Sequence, residues 1–191
     1  GSGDTETGAY TLLGGTATPS NGLAVTRNVG ANIVLTSENE WYKAAYYNAV
    51  SASFFDYPAG SDTQTGCVAP ASDTGNSANC HPAVGNVTDV GAYALSDSPY
   101  GTFDQGGNVW EWNEQLVSGS DRGLRGGSFN YGAPGYLAAS FRGYSGPADE
   151  YGAMGFRVAR LVPPAPPVPI GDVFGPVVAG LLLMTGLLGL V

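Results

Sequence analysis

The sequence predicts an α+β chain built largely from turns and short strands, followed by one C-terminal hydrophobic helix. Three observations carry that prediction. Glycine contributes 30 of the 191 residues and proline 13, while charged residues make up only 12%. That composition disfavours helical bundles and coiled coils and favours a turn-rich fold. A single stretch carries a complete helix start. The last nineteen residues, Val173 to Val191, contain no charge. Aromatics at 11% and apolar residues at 43% are too many for a disordered chain.

Residues 1–34 are glycine-rich. Gly1-Ser2-Gly3 is no initiator methionine and leads into no apolar signal segment, which reads as a processed or engineered start. Ile33–Thr36 is the first extended piece. Ser37-Glu38-Asn39-Glu40 is a capping box, with Ser37 as N-cap and Glu40 reaching back from the third position. It predicts a helix over about 38–49, with Trp41, Ala44, Ala45 and Ala49 on one face by their spacing of three and four. Further extended pieces follow at Ala92–Ala94, Val109–Trp112, Arg125–Phe129 and Phe156–Leu161. No internal repeat is present. The body, residues 1–162, is one domain by length.

Five prolines at 163, 164, 166, 167 and 169 make residues 163–171 a polyproline II spacer. Residues 172–191 then read as a transmembrane or assembly helix. Nineteen uncharged residues span roughly 28 Å at about 1.5 Å rise, close to the bilayer hydrocarbon thickness. A buried core helix is the alternative. Gly175, Ala179 and Gly186 share one helix face, a small-residue stripe that permits contact between copies in an apolar medium.

The net charge is −9 and lysine occurs once, at Lys43. Such a chain lacks the basic patch that phosphate contacts need, so nucleic acid is excluded as a partner. One histidine rules out a multi-histidine metal site, and two cysteines cannot build a four-thiolate site. Cys67 and Cys80 bracket a polar loop of disulfide size, worth about 3 kcal/mol in the chain-entropy model. Two free thiols in a reducing compartment are the alternative. A disulfide together with an apolar tail points to a periplasmic or cell-surface, membrane-anchored location.

Three segments carry the chemistry: Tyr100-Gly-Thr-Phe-Asp-Gln-Gly-Gly-Asn-Val-Trp-Glu-Trp112, Arg122-Gly-Leu-Arg-Gly-Gly-Ser-Phe129, and Gly155-Phe-Arg-Val-Ala159. Asp104 and Glu111 can aim hard oxygen donors at one point, and the glycines between them let carbonyls turn inward. Alternating carboxylates and carbonyls suit Ca²⁺, which takes six to eight oxygens. A solvated turn ending at a strand Glu is the competing account.

The order of L-T-S-E-N-E-W-Y-K-A-A at Leu35–Ala45, G-N-V-W-E-W, R-G-G-S-F and G-F-R-V-A resembles the formylglycine-generating enzyme (sulfatase-modifying factor) family, over roughly Leu35 to Arg160. The resemblance implies a C-type-lectin-like α+β fold with bound Ca²⁺. It places one calcium site on the Asp104 side chain, the Gly107 and Val109 carbonyls and the Glu111 side chain. A weaker match places another on Asn79 and the Cys80 carbonyl. The family's front section has no counterpart here, which implies a protein partner completing the domain. The family's enzymes use a cysteine pair between R-G-G-S and G-F-R to bind copper. Those positions fall on Pro134 and Ala139, or on Tyr136 by another alignment, and no cysteine follows Cys80. Related iron enzymes need a histidine cluster, and His81 is alone. The resemblance therefore implies no catalytic residue, no copper and no iron.

The tail resembles bacterial exosortase-type sorting tails, although Val168-Pro169-Ile170-Gly171 is not the usual signal. Asn130, Tyr131, Tyr136, Tyr144 and Tyr151 lie in a Tyr/Ser/Gly/Asn-rich stretch, the composition of adaptable binding loops. That region resembles the variable region of retroelement-diversified proteins, and core packing is the alternative use of its aromatics. The sequence thus points to a non-catalytic, calcium-stabilised binding or structural module, anchored or assembled through its C-terminal helix. The alternatives are an accessory subunit of a larger membrane complex or surface filament, and a displayed ligand-binding protein.

Overall fold

The computed structural model describes residues 8–16, 18–131 and 133–161. A short strand, β1 (Ile33–Leu35), leads into the helix α1 (Glu38–Tyr46). The Ser37 side chain accepts from the Glu40 N–H, and the Glu40 carboxylate accepts from the Ser37 N–H at 2.8 Å. Both bonds satisfy N–H groups that a helix start leaves without partners. The helix buries Trp41, Ala45 and Tyr46. Ala44 within the helix is only half-buried, and the helix stops three residues short of the predicted end, leaving Ala49 exposed beyond it. The reason is a competing hairpin. Tyr47 turns extended, and β2 (Tyr47–Asn48) pairs antiparallel with β3 (Ser53–Phe54). Asn48 fixes the reversal by accepting from the Val50 N–H at 2.9 Å, a side chain mimicking a backbone turn.

Parallel β4 (Gly66–Cys67) and β5 (Ser77–Ala78) follow. Cys67 and Cys80 form a disulfide with Cα atoms 4.9 Å apart, and no free cysteine remains. The main sheet is built from β6 (Trp110–Ser118), β7 (Asp121–Arg125), β8 (Gly143–Ser145) and β9 (Met154–Phe156), in the order β8-β7-β6-β9. β6 is antiparallel to β7 and parallel to β9. The last strand, β10 (Val158–Arg160), pairs antiparallel with β1. Two short 3-10 turns, Pro70–Ser72 and Pro134–Leu137, complete the elements.

Three extended predictions shift. Ala92–Ala94 forms no strand. The piece expected at Arg125–Phe129 is instead the end of β7, because Gly126 and Gly127 take φ of +94° and +71° and break the strand. Phe156–Leu161 divides into the end of β9 and β10, with Arg157 at the junction. The core gathers Trp41, Ala45, Tyr46 and Ala139, beside a second cluster of Ala78, Cys80 and Leu137. The Tyr46 hydroxyl donates to the Leu137 carbonyl at 3.0 Å and ties the two together.

The chain divides into two units, Gly1–Leu161 and Val162–Val191. The predicted proline spacer and apolar helix fall outside the described residues. Among the described residues, no helix is long and apolar enough to cross a membrane.

Candidate functional site

The three motif segments converge on one knot of backbone. The Gly107 N–H donates to the Gly126 carbonyl at 2.7 Å, the Asn108 N–H to the Asn79 carbonyl at 2.8 Å, and the Phe129 N–H to the Asn108 carbonyl at 2.9 Å. Gly107 is required there. Its φ is +77°, and a Cβ would lie 2.4 Å from the Asn79 carbonyl oxygen, an approach only glycine permits. Asp104 and Asn108, at φ of 57° and 61°, occupy the left-handed region that Asp and Asn tolerate best.

Glu111 is 5% exposed on β6. Its carboxylate accepts from the Trp41 indole N–H at 2.6 Å and from the Arg157 Nε and Nη2 at 2.5 Å each. Arg157 also donates to the Phe103 carbonyl at 3.1 Å. One guanidinium therefore bridges the start and end of the loop that carries the motif. Asp104 turns Oδ2 to the Gly91 N–H at 2.7 Å.

These contacts bear on the two calcium sets. In the set Asp104, Gly107, Val109 and Glu111, the Glu111 carboxylate already accepts three hydrogen bonds, so a cation drawing on it would share it with Arg157. The other set differs. The Asn79 side-chain oxygen is buried with no hydrogen-bond partner, while its amide donates to the Asn86 carbonyl at 2.8 Å. A buried acceptor left without a donor is costly unless an ion or water meets it. Among the described residues, no group of three or more His, Cys, Asp or Glu could hold a metal ion.

Pro134, Tyr136 and Ala139, the positions onto which the resemblance carries the family's cysteines, lie on one loop. Arg125 anchors that loop, donating to the carbonyls of Ala139 and Phe141 and pairing with Glu38 of α1. Ala139 is buried in the core. Of the expected ligand-surface residues, Asn130, Tyr131, Tyr144 and Tyr151 are exposed. Tyr136 is instead half-buried, its ring 4.5 Å from Phe141 and 5.9 Å from Trp110. One side of its ring thus packs against these neighbours.

Sequence reasoning missed a second charge cluster. Arg27 donates to Glu40 and to Glu114, and the Tyr10 hydroxyl also donates to Glu114. Arg27 holds the Glu40 carboxyl down at about 2. Burial, with the Glu114 bond, pushes the Tyr10 hydroxyl up to about 12. No local spacing signals partners that lie 87 and 104 residues apart in sequence.

Comparison with known proteins agrees with the geometry. The sequence model of the sulfatase-modifying factor enzyme 1-like domain matches residues 20–162. Treponema denticola variable protein 1 superposes with a TM-score of 0.53 at 24% identity, covering 71% of this chain and 50% of its own. The crystal structure of CarF gives 0.55 at 21% identity, covering 76% and 54%. The chain thus spans about half the length of each solved structure. No curated protein matches it. With four ordered motifs tied into one knot and three quarters of its length matched, the chain belongs to the sulfatase-modifying factor enzyme 1-like domain family.

Proposed function

We propose that the chain is a non-catalytic binding and structural module of this family, held at an extracytoplasmic surface by its C-terminal apolar segment. One observation carries the reading. Both cysteines of the sequence are consumed in the Cys67–Cys80 disulfide, and proline, alanine or tyrosine stands where a thiolate would be needed. None of these side chains replaces a thiolate as nucleophile or copper ligand. The test is oxidation of a cysteine-containing peptide by the protein with added copper. No turnover is expected, and turnover overturns the reading.

A second reading, ligand display, is favoured by the exposed Tyr131, Tyr144 and Tyr151 and by the likeness to a protein titled as variable. Calcium belongs to the proposal in the two sets the resemblance implies, Asp104, Gly107, Val109 and Glu111, and Asn79 with the Cys80 carbonyl, and the unpartnered Asn79 oxygen supports the second. Bound calcium would tie the segments of the knot together by charge. Assembly through residues 173–191 is tested by native mass after mild detergent extraction, where a higher oligomer is expected and a monomer removes the assembly role.

A further inference from the structure

A cavity of about 460 Å³ opens between the N-terminal segment and strands β6 and β7, and Trp112, Arg122 and Phe156 bring one residue of each motif segment to its wall. Its size falls within the roughly 300–1,000 Å³ of small-molecule sites. Leu12, Leu23, Val25, Leu35, Trp112 and Phe156 bring large apolar side chains to its lining. Leu23 and Phe156 are 62% and 68% exposed, so two large apolar side chains stand open to water on its wall.

The polar groups of the cavity are of two kinds. Tyr10 and Glu114 are closed on themselves: Glu114 accepts from Tyr10 and from Arg27, which Glu40 shares. Arg122 is different. Among the described residues, its guanidinium donates only to the carbonyls of Glu114 and Gly22 and no ion pair includes it. A guanidinium has five N–H donors, so Arg122 keeps donors and an unpaired charge for an incoming acid. Guanidinium and carboxylate match in geometry as well as in charge.

Resting on the reading of the chain as a binding module, we propose that this cavity binds a single-chain carboxylate amphiphile. Its apolar tail lies against Leu35, Trp112 and Phe156, and its head meets Arg122. The chemistry recognised is a free acyl carboxylate rather than an ester or an alcohol.

Calorimetric titration of the full chain with decanoate and with 1-decanol, both below aggregation, tests this. Saturable one-to-one binding is expected, about tenfold tighter for the acid. Arg122→Gln should bring the acid to the affinity of the alcohol. Leu23→Asp, at an exposed position that leaves the fold intact, should weaken both about tenfold. Non-saturable uptake overturns the proposal. So does equal affinity for acid and alcohol in the wild type, or binding that Leu23→Asp leaves unchanged. Peptide turnover would overturn the non-catalytic reading alone, so the two failures are distinguishable.

Discussion

Glu111 shows what a chain with few charges does with them. It is a carboxylate removed from water, and it is tolerable only because Arg157 and Trp41 supply donors to both its oxygens. Removing one partner of a buried pair costs about 3–5 kcal/mol, because the other charge stays buried and unpaired. Arg157→Ala should therefore lose about 3 kcal/mol in urea denaturation. Glu111→Gln should lose less, since the charge it leaves unpaired, on Arg157, is 22% exposed where that of Glu111 is 7%; equal losses would mean that this exposure does not relieve the stranded charge. Calcium enters at the same scale. If the ion sits on Asn79, the melting temperature rises when calcium replaces a chelator, and Asn79→Ala abolishes the rise. An unchanged melting temperature for the wild type removes calcium from the proposal.

Elements were legible where their signals are local and illegible where distant chain decides. The capping box was readable because Ser37 and Glu40 satisfy each other within four residues. Ser37→Ala should cost about 1 kcal/mol, seen as a lower urea midpoint at unchanged slope. The helix end was not readable, since Tyr47 leaves α1 to pair with Phe54, and no property of Tyr47 alone announces that. Val109–Trp112 marked the start of β6, but its continuation to Ser118 depends on β7 folding back beside it. The site divides in the same way. The G-N-V-W-E-W and R-G-G-S-F segments were visible as motifs, while the guanidinium joining Phe103 to Glu111 comes from 46 residues away. The disulfide was legible by loop size. Reducing it should cost about 3 kcal/mol, read as a lower melting midpoint with thiol present, and Cys67→Ala should melt at the reduced midpoint without any reductant.

For the whole molecule, acidity and stability pull in opposite directions. A net charge of −9 repels itself, so mild acidification reduces repulsion and favours the compact state. The ion pairs work against this. Glu40 sits at about 2 in the folded protein, below its unfolded value near 4.3. A carboxylate depressed by folding contributes stability above its unfolded pKa, and that contribution is lost as the pH falls toward the folded value. Stability should therefore hold or rise slightly from pH 7 to about 5, then fall between about 4 and 2. Arg27 is the cause of the Glu40 depression, so Arg27→Gln should flatten the acid limb while lowering stability at neutral pH. Urea midpoints across this pH range check both. An acid limb of unchanged slope in Arg27→Gln would place the acid sensitivity in the other carboxylates. A flat profile in the wild type would mean that relief of repulsion offsets every pair the fold has made.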